Sequence, residues 1–125
     1  MTVAGKFLLA AGLGGAVGVA AGAVGTHVVA DDHARQLVDL ASRYLMIHAV
    51  ALVGLAQVGR AGTGGWLVDI AFWLFLVGMV LFGGGLLVSA TVGLGAFGSI
   101  VPIGGTAFIL AWLVVAGLGL RRLAQ

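Results

Sequence analysis

The chain has 125 residues, 62% hydrophobic and 8% charged, with a formal net charge of +2. A soluble domain carries about 25% charged residues, so this chain cannot cover itself with a hydrated surface. Six Lys and Arg are too few for a nucleic-acid footprint, and the lack of cysteine removes disulfides, thiolate metal sites and covalent haem attachment.

A bilayer-crossing helix needs about 20 mainly apolar residues. The first such segment covers about 7–30. Lys6, an apolar run and small residues around Ala21 imitate a signal peptide, but the run is longer than the roughly 7–15 residues of such a leader. Three further spans follow, so it reads as a retained helix. Gly14, Gly18 and Gly22 recur every four residues along it, and Gly25 adjoins them. Small residues let helix backbones approach closely in lipid. This ridge packs either on the chain's own helices or on a second copy.

The stretch from Asp31 to His48 holds half of the charged residues, two of the three histidines and the only tyrosine. Asp31, Arg35, Asp39 and Arg43 alternate in sign at i, i+4, which supports a helix by about 0.3–0.5 kcal/mol per pair. Ala34, Leu37, Val38, Ala41 and Leu45 form an apolar face at i, i+3, i+4 spacing. Asp31 or Asp32 serves as the N-cap. The pattern predicts an amphipathic interfacial helix over about 32–42, its apolar face in the headgroup boundary or on the bundle. It leads into a second span at about 44–60.

Ala61-Gly62-Thr63-Gly64-Gly65 forms a short turn, with Arg60 before it and Asp69 one helical turn beyond Trp66. Asp69 is expected to reach Arg60 across this turn, the alternative being that it snorkels to water. The third span covers about 66–90. The fourth, about 100–120, opens with Pro102-Ile103-Gly104-Gly105; a proline near a helix start loses no hydrogen bond. The fold class is therefore an all-α membrane protein, a single up-down bundle of four transmembrane helices. Its partner is the lipid bilayer, with a homo-oligomer or a larger membrane complex left open. With both termini in the cytoplasm, Lys6, Arg60, Arg121 and Arg122 lie inside, and Arg35 and Arg43 lie outside.

This threading places Thr26, His27, Arg43, Tyr44 and His48 in one leaflet, with Ser89, Thr91, Ser99 and Thr106 at the same level. Ionisable groups inside a membrane usually face the protein interior. Three readings stay open for the cluster: histidines satisfied by backbone or interfacial water, a lipid, small-ligand or proton-relay site, and a metal or haem held by His27 and His48. No third ligand accompanies those two histidines, so no cofactor is expected. No metalloprotease, P-loop, nucleophile-elbow or dinucleotide motif occurs.

Four stretches together resemble a known family. Gly22-Ala23-Val24-Gly25-Thr26-His27 is similar to a GAFGAH signature, and the run from Arg43 to Leu52 to RYQxxHALAL. The run from Gly78 to Leu86 is similar to GxxLFSGSLY, and that from Pro102 to Leu113 to PIGGxxFxxGWL. They occur in order over essentially the whole chain. It resembles the small inner-membrane proteins of unknown function typified by bacterial YgdD and YwdK, with a mitochondrial relative, transmembrane protein 256. The resemblance implies a four-helix inner-membrane protein without an established activity. Its signatures include the residues matching His27, Arg43, Tyr44 and His48. The chain departs from them at Val24 and at Gly83-Gly84-Gly85, where the family's serine hydroxyls are missing. The function expected is non-enzymatic: a structural or accessory subunit, or a lipid- or small-ligand-binding module. The alternatives are a small oligomeric transporter or channel, and a His-ligated metal or haem subunit.

Overall fold

The computed structural model describes residues 2–93, 95 and 98–125. Among these, four helical stretches are long and apolar enough to cross a membrane. The first, α1, is Val3–His27, capped by Thr2, whose Oγ1 accepts from the Gly5 amide at 3.0 Å. The second, α2, is Asp32–Arg60, capped by Asp31, whose Oδ2 accepts from the Ala34 amide at 2.7 Å. Acidic Asp32 in its first turn and basic Arg60 in its last complement the helix dipole. The third stretch is α3, Trp66–Gly78, then a π-helical turn, Met79–Gly84, then α4, Gly85–Val92. The fourth is α5, Ile100–Leu123.

The separate interfacial helix expected over 32–42 is not present: that segment is the first third of α2. From Thr26 to Val53 the chain contains no glycine or proline, so nothing interrupts the helix. Of the two places left open for its apolar face, the bundle is the one taken: the face lies on α1, with Val38, Ala41, Ser42 and Leu45 buried. The Ser42 hydroxyl donates to the Gly18 carbonyl of α1 at 2.7 Å. An amphipathic pattern looks the same whether its partner is headgroups or a helix. At 29 residues α2 is about 43 Å long, against about 30 Å of bilayer hydrocarbon, so its charged first turns extend past the core.

Gly62 and Gly65, at φ of +68° and +52°, turn the chain from α2 into α3. Gly93, at φ +88°, ends α4. Left-handed backbone costs glycine nothing and other residues more. Pro102 occupies the third position of α5, where its absent N–H would have no intrahelical acceptor.

Consecutive helices alternate in direction. Gly15 faces Ala49, Gly18 faces Leu45 and Gly25 faces Val38, so α1 and α2 run antiparallel. Gly78 faces Phe108 and Gly85 faces Val101, so the third and fourth stretches do too. The core holds Phe7, Leu52, Phe72, Phe75, Phe108 and Ala111. Large apolar side chains such as Leu13, Val50, Trp73, Val80 and Leu113 point outward. A monomer in water rarely exposes contiguous apolar surface on this scale; a bilayer accounts for it.

Asp69 does not pair with Arg60, as its position in sequence suggested. It accepts from Lys6 of α1 at 2.5 Å, while Arg60 lies 3.4 Å from Gln57 Oε1 on its own helix. The cause is that α1 and α3 run side by side in the same direction. Phe7 packs on Phe72 with ring centroids 4.6 Å apart, which brings Lys6 level with Asp69. The acid–base ladder also resolves differently. Asp31 spends its carboxylate on the cap, and Arg35 donates to the Val29 carbonyl at 2.7 and 3.2 Å and lies 3.4 Å from Asp32.

Candidate functional site

His48 is 3% exposed and marks the floor of a crevice between α2 and α5. Both ring nitrogens have partners within the protein. Nδ1 lies 2.6 Å from the Tyr44 carbonyl, which can only accept, so Nδ1 carries the hydrogen. Nε2 therefore accepts, from the Trp112 indole N–H of α5 at 3.3 Å. The two partners define one neutral tautomer. The imidazole stacks on Phe108, with centroids 3.6 Å apart and planes 7° from parallel.

Aromatic rings surround this pair. Tyr44 lies 4.6 Å from Phe82, and Phe75 meets Trp112 edge-on at 5.2 Å. Phe82 comes from the π-helical turn, a feature that recurs at functional sites because it redirects side chains. Gly104 of α5 makes this possible: a Cβ there would land on the Phe82 backbone. Gly105 faces the Phe82 ring at ordinary contact distance and borders the crevice.

The crevice above His48 encloses about 580 Å³. Below it, a second cavity of about 340 Å³ is bordered by Ala51, Gly54 and Val58 of α2 and Val115 of α5. Trp112 lines both. Polar capacity inside is small. Thr106 donates its hydroxyl to the Pro102 carbonyl at 2.9 Å, and His48 and Trp112 bond each other.

The residues singled out from sequence are divided by the structure. Tyr44 and His48 meet in the crevice. Arg43 lies one step along the same side of α2, in a depression with Gln36, Asp39 and Leu40. Thr26 and His27 are exposed at the end of α1, where the Thr26 hydroxyl donates to the Gly22 carbonyl at 3.0 Å. They are not among the residues lining the crevice. Among the described residues, no group of three or more His, Cys, Asp or Glu side chains is placed to hold a metal. The glycine ridge of α1 lies against this chain. Gly14 faces Met79, Gly18 faces Leu45 and Met46, Gly22 faces Ser42, and Gly25 faces Val38. Sequence reasoning missed Phe108 and Trp112. Their i, i+4 spacing behind Gly104 was the available signal, since it sets an aromatic pair on the face that bears the small residue.

A family model described as "Protein of unknown function (DUF423)" matches residues 21–105. That span includes Tyr44, His48, the π-helical turn and the start of α5. The chain is 34% identical to the UPF0382 membrane protein YwdK of Bacillus subtilis, over 93% of this chain and 90% of that one. It is 33% identical to a UPF0382 membrane protein of Staphylococcus epidermidis and 30% identical to the UPF0382 membrane protein SAB0533 of Staphylococcus aureus, each over 87% of this chain and 90% of the relative. No solved structure matches. With a family model covering more than half of its length and relatives aligned nearly end to end, this four-helix membrane protein belongs to the UPF0382/DUF423 family.

Proposed function

We propose that the protein is a non-enzymatic, single-domain module of the bacterial inner membrane that binds a lipid or another small apolar ligand between α2 and α5. The observation that carries this reading is the crevice itself. It is walled by aromatic rings, lies between two membrane-spanning helices, and its deepest polar side chain already has both nitrogens bonded. Ligand sites are mostly apolar concavities with few polar groups, often between the helices of a bundle.

A proton relay through His27 and His48 has less support, because the two do not line a common cavity. An oligomeric seam along Gly14, Gly18, Gly22 and Gly25 would compete with the α2 side chains and Met79 that cover that ridge. The orientation proposed is cytoplasmic termini. Lys6, Arg60, Arg121 and Arg122 all gather at one end of the bundle, where Arg122 reaches Thr63 at 2.5 Å and Arg121 stacks on Trp66. Basic residues flanking short loops favour the cytoplasmic side.

The test is gentle solubilisation followed by lipid and protein mass spectrometry, comparing the natural chain with Thr106→Phe, which fills the crevice from its exposed rim. The expected result is a stoichiometric apolar molecule that the variant loses. A natural chain that carries no such molecule, and whose melting point ignores added lipids, would falsify the reading.

A further inference from the structure

We infer that the crevice holds one acyl chain of an anionic phospholipid, with the lipid phosphate on Arg43. This rests on the crevice reading above and adds the class of ligand and its direction.

Three cavities follow one stripe of α2. Leu40 and Arg43 border the uppermost, Tyr44 and Ile47 the middle one, and Ala51 and Gly54 the lowest. Leu40, Arg43, Ile47, Ala51 and Gly54 advance by three or four residues and share one helical face, with Tyr44 on its edge. From Arg43 to Gly54 is about 16 Å along the axis, close to half of the roughly 30 Å hydrocarbon core. A chain anchored by its headgroup at Arg43 therefore ends near Gly54, at the depth where a leaflet ends.

Charge selects the headgroup. Among the described residues, Arg43 makes no ion pair, whereas Lys6 is paired with Asp69 and Arg35 with Asp32. The nearest acid, Asp39, lines the same depression but makes no ion pair with Arg43; its Oδ1 lies 3.3 Å from where a Cβ on Gly25 of α1 would stand. A guanidinium at the interface with no carboxylate on it suits a phosphate, which it grips through paired N–H donors. Hydrocarbon suits the part below, where the polar atoms of His48, Thr106 and Trp112 already have partners.

The experiment titrates the full chain, solubilised in mild detergent, with dioleoylphosphatidylglycerol and dioleoylphosphatidylcholine, and reads adducts by native mass spectrometry. Glycerol phosphate without acyl chains is a third arm. The natural chain is expected to hold one phosphatidylglycerol in roughly fivefold preference over phosphatidylcholine, as one basic residue near the surface supplies. Arg43→Gln is expected to erase the preference and keep chain binding. Gly54→Leu is expected to weaken both lipids and to keep the fold, because a Cβ at Gly54 meets nothing within 4 Å and leucine favours helix. Equal binding of the two lipids that Gly54→Leu removes would overturn the anionic assignment and keep the crevice reading. A preference unchanged in Arg43→Gln, or full competition by glycerol phosphate, also overturns it. If neither lipid saturates, or Gly54→Leu alters neither, both readings fall.

Discussion

Two of the seams that helix α2 makes are built from opposite materials. Toward α1 it meets glycines, and the backbones close until side chains and carbonyls touch. Toward α5 it meets Phe108 and Trp112, whose rings hold the helices apart and leave a crevice on each side of the indole. In lipid no hydrophobic force drives helices together, so close packing and interhelical hydrogen bonds have to. The α1 seam has both, through Gly18 and Ser42. The α5 seam has one interhelical hydrogen bond, between His48 and Trp112, and a ring stack. One helix can thus be anchored on one side and receptive on the other. The difference lies in side-chain volume rather than in overall hydrophobicity.

The largest effect that would break this comparison comes from Gly18→Leu. A Cβ at Gly18 would stand 2.8 Å from Met46 Cγ and 3.2 Å from the Ser42 carbonyl oxygen, so leucine forces α1 and α2 apart. Overpacking of this kind costs about 1–3 kcal/mol, and the Ser42 hydrogen bond is lost with it. Denaturant titration in detergent micelles should show a loss of about 3 kcal/mol or no folded protein. A loss under 1 kcal/mol would mean the closed seam does not hold the bundle.

Next in size is His48→Ala. It empties the volume stacked on Phe108 and leaves the Trp112 N–H without its acceptor. Creating a cavity and orphaning a buried donor together cost about 2–3 kcal/mol. Trp112 fluorescence, read in a variant with Trp66 and Trp73 replaced by phenylalanine, should shift as the indole loses its partner. An unchanged spectrum would show that the two residues do not interact.

Much of this organisation can be read from the residues alone. The apolar lengths, the Gly62 and Gly65 turn and the Asp31 cap follow from local chemistry, because each depends on residues a few positions apart. What could not be read is partnership. Lys6 and Asp69 are 63 residues apart, and only the parallel run of α1 and α3 brings them level. Arg60 was nearer to Asp69 in sequence and lost to it. The apolar face of residues 32–42 was visible, but its counterpart, α1, was not. The polar cluster shows the same limit. His48 stood out as an intramembrane histidine, yet nothing in the residues pairs it with Trp112, 64 positions away. The π-helical turn has no signature beyond Gly83-Gly84-Gly85, and the close approach of Gly104 to its backbone comes from another helix.

Gly54→Ala sharpens the contrast from the open side. Where Gly18 has no room, a Cβ at Gly54 meets nothing within 4 Å. Alanine also restricts the unfolded chain and favours helix, so the substitution should stabilise by about 0.4–1 kcal/mol. The same exchange at Gly18 should destabilise. Opposite signs for one chemical change, once in the seam with α1 and once beside the cavity toward α5, would separate packing from propensity. Equal signs would mean that helix propensity alone governs both.

The smallest effect concerns the two buried serines. Ser42 is 4% exposed and its hydroxyl donates across the closed seam to Gly18 at 2.7 Å. Ser89 of α4 is 3% exposed, and its Oγ has no hydrogen-bond partner among the described residues. Interhelical hydrogen bonds in membrane proteins contribute about 0.6 kcal/mol on average, so Ser42→Ala should cost about that much. Removing a hydroxyl that makes no bond relieves a desolvation penalty, so Ser89→Ala should be neutral or stabilising by about 0.5 kcal/mol. Both proteins lose one oxygen from an equally buried position, which cancels most of the packing change. Urea or detergent unfolding of the pair therefore isolates the bond itself. If Ser89→Ala costs as much as Ser42→Ala, the Ser42–Gly18 bond adds nothing beyond volume, and the closed seam is held by glycine packing alone.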